Sequence, residues 1–163
     1  FEAGGDLTQF WRMDSFYHFN QALNKTERFS AALNYHPQPG KVFSVRYLYD
    51  QEEEIYSNEY GRVSQIDVGV QWPVAPKYTV VARQNYSFAD NMSLEQLLGL
   101  EYTDNCWTFR VVGQRYVTDK NKTRNGIFVQ LELGDLGGLG NDPFDLLRLA
   151  IPGYSKTNEA KKR

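Results

Sequence analysis

Two histidines, a single cysteine and a series of regularly spaced carboxylates are the side chains here best suited to covalent chemistry. His18, close to Asp14 and Asp50, could form an acid–base cluster for hydrolysis; the same three residues also read as solvated polar groups at loop bases. His36 falls at the opposite end of a neighbouring segment, so the two imidazoles cannot share a metal ion. Cys106, in the run GLEYTDNCWTFR, has three readings: a nucleophile, a buried spectator, or half of a disulfide whose partner lies elsewhere. The first needs a base within reach, and no histidine is placed to supply one. GxSxG, HExxH and a phosphate-cradling glycine loop are all missing, and GDLGGLG follows a strand without opening a phosphate-binding helix. These residues point to no catalytic site, no metal and no cofactor.

The elements that carry them repeat with period two. In KVFSVRYLYD, Phe43, Val45, Tyr47 and Tyr49 share one face, and Ser44, Arg46 and Asp50 the other. ERFSAALNYH and VSQIDVGVQW split the same way, as do the stretches around Tyr78–Tyr86, Leu94–Tyr102, Trp107–Val111 and Ile127–Leu133. A less regular first strand runs from about Leu7 to Phe19, so the pattern predicts about eight strands. Each would be longer than the roughly 5–6 residues usual in water-soluble sheets and close to the roughly 9–11 that a tilted membrane strand needs.

Connections alternate in length. NQALNKT, DQEEEIYSNEYGR, SFADNMS and TDKNKTRNG are long and polar, whereas PQPGK, PVAPK and Asp104-Asn105 are short. That rhythm fits an antiparallel transmembrane β-barrel with long outward loops and short periplasmic turns. Aromatic placement agrees, in a chain with 15% aromatic residues. Tyr35, Trp72, Tyr78, Tyr102 and Trp107 sit at the short-turn end of the apolar face, and Tyr17, Tyr49, Tyr86 and Phe88 towards the long loops. Two belts of this kind suit two membrane–water interfaces. The other face would point Arg12, Asp14, Arg46, Asp50, Asp67, Arg83, Glu95, Glu101, Arg110 and Glu132 inward. Buried charges on this scale imply a wet lumen, a protein plug or a ladder of ion pairs.

Beyond Leu133 the alternation stops. Asp142-Pro143 would open a short helix from about Phe144 to Ala150, with Pro152-Gly153 as its stop and SKTNEAKKR as a disordered end. Residues 1–134 thus read as barrel strands and 135–163 as a periplasmic tail. A net charge of -2 gives no basic field for nucleic acid. No apolar run approaches the roughly 20 residues of a spanning helix, which excludes a helical membrane protein. FEAGGDL has no signal-peptide character and reads as a mature or truncated start.

With Asp104-Asn105 as a two-residue hairpin loop, Thr103 would pair with Cys106, Tyr102 with Trp107, Leu100 with Phe109 and Leu98 with Val111. That register turns Cys106 inward. A self-contained barrel of about eight strands, serving as anchor, adhesin or rim enzyme, stays open at this point.

Specific residues go further. QIDVGVQWPVAPKYTVVARQNYSF, followed by QLLGLEYTDNCWTFRVVGQRY and NGIFVQLEL, resembles the carboxy-terminal part of the LptD family, the lipopolysaccharide-assembly proteins of the Gram-negative outer membrane. DPFDLLRLAIPGY resembles that family's ending, so the likeness runs from about Val63 to Tyr154. It implies about eight strands of a much larger barrel, of roughly 26. It also implies an LptE-like lipoprotein plug, lipopolysaccharide arriving over a periplasmic bridge through an N-terminal domain, and sideways exit between the first and last strands. The final strand would be Asn125–Leu133. Its Gly126, Ile127, Phe128, Val129, Leu131 and Leu133 would form one edge of the exit seam and the signal read by the barrel-assembly machinery (BamA). Cys106 would be disulfide-bonded to the periplasmic domain. Many family members carry two adjacent cysteines at this turn; here the pair is Asn105-Cys106, so at most one bridge can start from it.

Overall fold

The computed structural model describes residues 1–20, 25–52, 61–119, 122–133, 137–140 and 143–156. Ten strands follow one another: β1 (Glu2–Thr8), β2 (Trp11–Asn20), β3 (Lys25–Gln38), β4 (Lys41–Glu52) and β5 (Gly61–Ala75), then β6 (Tyr78–Ser87), β7 (Met92–Thr103), β8 (Trp107–Asp119), β9 (Lys122–Leu133) and β10 (Gly137–Gly140). One helix, α1 (Phe144–Ala150), comes after them. The strands form a single antiparallel sheet in sequence order, with β1 and β10 at its two edges. Among the described residues the ladder is open rather than closed on itself, so a self-contained small barrel is not what they build.

Strands β2 to β9 run from 10 to 15 residues, and β3, β5 and β8 are longer than the alternation predicts. Two strands were not predicted. The expected first strand, Leu7–Phe19, is broken by a turn at Gln9-Phe10, where the Thr8 hydroxyl accepts the N–H groups of Phe10 and Trp11, each at 3.3 Å. Residues before that turn form β1, which is exposed throughout and rich in glycine, so it has no apolar face for periodicity to detect. After Leu133 the glycine run forms β10, which pairs with β9 through Leu139↔Leu131 and Gly137↔Leu133. Asn125–Leu133 is therefore not the final strand.

The hairpin between β7 and β8 also differs from expectation. Thr103 pairs with Thr108, Tyr102 with Phe109 and Leu100 with Val111. Asp104 N–H donates to the Trp107 carbonyl at 2.8 Å, which puts Asn105-Cys106 at the turn. The ladder slips by two residues from the expected pairing, so every side chain keeps its face. Cys106 takes the place of Asp104 in the loop, and the Asp104 carboxylate is held at the strand end, accepting from Asn105 N–H at 2.8 Å and from Lys77.

The two faces have opposite character. One carries Met13, Phe43, Trp72, Leu98, Leu100, Phe109 and Ile127, all exposed. The other holds Arg110, Glu101, Gln71 and Thr108, all buried, together with Val42, Val81, Leu97 and Val112. On this second face α1 and the residues after it pack, contributing Leu147, Ala150, Ile151 and Tyr154 to one cluster with those valines and Leu97. α1 has the bounds predicted for it. Its expected cap, Asp142, lies outside the described residues, and Pro143 occupies the N-cap position. Of the end expected to be disordered, 155–163, only 157–163 lies outside the described residues; Ser155 and Lys156 are instead held against the sheet, Ser155 by Gln71 and Gly40 and Lys156 beside Glu132.

Gly99 lies between Val81 and Val112 in the same row of the sheet. A Cβ there would meet Val81 Cγ2 at 2.5 Å, Val112 Cγ2 at 2.9 Å and the Val111 carbonyl oxygen at 3.2 Å. Gly99→Ala should therefore lower stability by about 1–3 kcal/mol through overpacking. Urea unfolding of the detergent-solubilised protein, followed by tryptophan fluorescence, would register it; an unchanged midpoint would contradict the packing.

Candidate functional site

The aromatic residues picked out by sequence do gather in groups. At the short-turn end Tyr78 packs edge-on against Tyr102 with centroids 5.0 Å apart, and Tyr102 packs on Trp107 at 4.9 Å. Trp11 and Tyr35 pair at 4.5 Å, and Lys41 stands over Trp72 at 5.8 Å. At the long-loop end Tyr86 meets Phe88 at 5.3 Å and hydrogen-bonds Asn91 at 2.6 Å. Tyr49 donates to Gln51 Oε1 at 2.7 Å, with Arg62 over its ring. Rings whose hydroxyls reach polar groups at the ends of long strands suit a boundary between oil and water.

The polar face answers the question of the inward charges. Ion pairs run in ladders across it, because residues paired across strands share a face. Arg83 donates to Asp67 at 2.9 and 2.7 Å and also pairs with Glu95, whose other oxygen accepts from Gln114 at 2.6 Å. Lower down, Arg110 reaches Glu132 at 2.6 Å, Gln130 at 2.9 Å and Glu101 at 3.6 Å.

The tail is part of this network. Tyr154 donates to Glu101 at 2.6 Å, and Lys156 lies 3.8 Å from Glu132. Gln71 and Ser155 hold each other by two bonds, Nε2–H to carbonyl at 2.7 Å and backbone N–H to Oε1 at 3.1 Å. Ser155 Oγ also accepts from Gly40 N–H at 2.9 Å. Burial and the neighbouring Glu101 carboxylate push the Tyr154 phenol well above its ordinary value, which keeps it a donor. An ion-pair ladder and a plug made by the chain's own tail both fill this face. The tail itself gave no such sign in the sequence.

The residues considered for chemistry do not assemble. His18 Nδ1 lies 2.9 Å from Glu27, Asp14 is engaged by Arg12, and Asp50 by Arg28 at 2.8 Å. Cys106 is exposed at the hairpin turn, which replaces the expected inward orientation at a strand end. The outer edge of β9 is shared: Gln130–Leu133 are paired with β10, while Lys122–Val129 have no partner on that side among the described residues. Of the residues expected at that edge, Leu131 and Leu133 are covered by β10, and Gly126, Ile127, Phe128 and Val129 are not.

At the turns, Lys77 Nζ donates to Asp104 Oδ2 at 3.0 Å. That bond, helped by Asn105 N–H, holds the Asp104 carboxyl below its ordinary range. A depressed carboxylate stabilises the fold above its unfolded value and loses that contribution as pH falls through its folded value. Lys77→Gln should shift the Asp104 titration upward, read by carbon-detected NMR of the protein in micelles; an unmoved titration would discount the pair.

Comparison with known proteins adds the family. Residues 1–78 match the family model for LptD, LPS transport system D. Over 159 residues the chain is 52% identical to the LPS-assembly protein LptD of Chromobacterium violaceum, covering 96% of this chain and 20% of that protein. The LPS-assembly proteins LptD of Neisseria gonorrhoeae and Thiobacillus denitrificans are 37% and 36% identical, over 93% and 96% of the chain and again 20% of their own lengths. The chain thus spans about a fifth of these relatives.

Proposed function

The chain belongs to the LptD family, and from that premise we propose that it is the carboxy-terminal barrel portion of an outer-membrane translocon that inserts lipopolysaccharide into the outer leaflet. The observation that carries this reading is identity to LPS-assembly proteins along nearly the whole chain, joined to a sheet with one apolar, aromatic-belted face. In this reading the apolar face meets lipid, and the ladder face lines the lumen of the larger barrel. Long loops point outside the cell, and the short turns and tail lie towards the periplasm. The translocon moves a lipid and makes or breaks no covalent bond.

Partners follow from the same reading. An LptE-like lipoprotein fills the rest of the lumen, a periplasmic bridge delivers lipopolysaccharide through an N-terminal domain, and the barrel-assembly machinery (BamA) engages β9. The part of β9 without an outer partner among the described residues, Lys122–Val129, is the edge that serves as one side of the exit seam. Cys106, exposed on a short turn, bonds to a cysteine of the periplasmic domain. Non-reducing electrophoresis of the full-length protein should then show a mobility change in Cys106→Ser, and identical mobility would sink the disulfide.

Depleting the full-length protein should stop newly made lipopolysaccharide reaching the cell surface while synthesis continues, followed by pulse labelling and surface accessibility. Undiminished delivery would overturn the translocon. Blue-native migration should shift on adding LptE.

A further inference from the structure

The lipid-side face carries a groove of about 630 Å³ that none of the roles above uses. Its floor is Gly113, directly between Leu98 on β7 and Ile127 on β9. Those two side chains are 66% and 74% exposed, the most prominent apolar residues of the central strands, so the glycine leaves a notch between two ridges. A Cβ at Gly113 would have only the Leu98 carbonyl oxygen near it, at 3.8 Å, so the notch is open space.

One step towards the long loops lies a polar row, in which Gln84 pairs with Gln96, Gln96 with Arg115 and Arg115 with Asn125. Arg115 is exposed, and among the described residues no carboxylate pairs with it. A cation on the lipid side of a barrel strand is costly at the bilayer midplane and less so near the interface, unless something neutralises it. Amides beside it can hydrogen-bond but carry no charge. A phosphate would supply both the charge and the bidentate acceptor that a guanidinium favours.

We propose that the Gly113 notch and Arg115 form a binding site for lipopolysaccharide on the outside of the sheet, with an acyl chain between Leu98 and Ile127 and a phosphate on Arg115. The inference rests on the translocon reading, which is why lipopolysaccharide is the occupant chosen over other phosphorylated lipids. Position supports the choice, since the groove ends on Asn125 and Ile127, within the part of β9 whose outer edge has no partner among the described residues. A lipid leaving at that edge meets this groove first.

The test uses the full-length protein with a photo-crosslinking amino acid at Leu98, in nanodiscs of phosphatidylglycerol with a minor fraction of lipopolysaccharide. Ile66, on the same face of β5 and away from the notch, is the control position. Lipopolysaccharide adducts at Leu98 should exceed those at Ile66 several-fold. They should fall to the Ile66 level in Arg115→Gln and in Gly113→Leu, and persist in Arg115→Lys. Heat-modifiability on gels checks that each variant is folded. Equal capture at both positions, indifference to both variants, or capture of phosphatidylglycerol alone would overturn the site. In cells, a cross-linker at Phe128 reports the translocon separately. Lipopolysaccharide caught there but not at Leu98 sinks the groove alone, and capture at neither sinks both.

Discussion

Arg110→Met should lower the stability of the folded protein by about 3–5 kcal/mol, the usual cost of removing one member of a buried ion cluster. Arg110 is 1% exposed and stands among Glu101, itself fully buried, Glu132 and Gln130. Methionine fills much the same volume, so the loss is electrostatic rather than a cavity: two carboxylates stay in a site built for a cation. They would either take up protons or open the site to water, and each route weakens the fold. The double variant Arg110→Met/Glu101→Gln should recover a large part of the loss, because it removes one stranded charge while leaving an acceptor for Tyr154. Urea midpoints of the wild type, both single variants and the double variant form the cycle that measures the coupling. A single variant as stable as wild type would show that the ladder contributes nothing.

Leu147→Ala should cost about 2–5 kcal/mol, the range for truncating a fully buried leucine. Leu147 has no exposed surface, and with Ile151 it closes the cluster formed by Val42, Val81, Leu97 and Val112. The expected effect is local as well as global. With its anchor shortened, the tail should leave the sheet more often, and the bonds from Gln71 and Tyr154 should open with it. Hydrogen exchange at Ser155 N–H, which donates to Gln71, reads that opening directly. Exchange as slow as in the wild type would place the anchor elsewhere, with Gln71 as the next residue to vary.

Much of this was legible in the sequence because alternation is a local property. Along the regular stretches of β2 to β9 a residue takes its face from its parity, and the belts and ladders follow from that. Glycine erased the signal at both edges. In β1 and β10 there is too little apolar side chain to alternate, although the backbone can still pair. The hairpin register failed for a different reason: Asp104 looks like a loop residue until Lys77, distant in sequence, is seen to occupy its carboxylate. Tail docking left a trace that alternation alone discards. Val42, Val81, Leu97 and Val112 are apolar residues at polar-face positions, and those exceptions mark where α1 and Ile151 sit. The candidate groove was invisible for the opposite reason, since Gly113 matters through what it lacks.

The clamp between the tail and the early strands has a consequence in time. Ser155 bonds to Gly40 across 115 positions and to Gln71 across 84, so these contacts join parts of the chain that become available far apart during synthesis. Contacts of such long range form late, after the loop entropy between them has been spent. Every strand pairs with its neighbour in sequence, so its partner is never far along the chain. The buried charges, by contrast, keep their water until residues 143–156 arrive. The order of events is therefore written into the chain: pairing first, drying last.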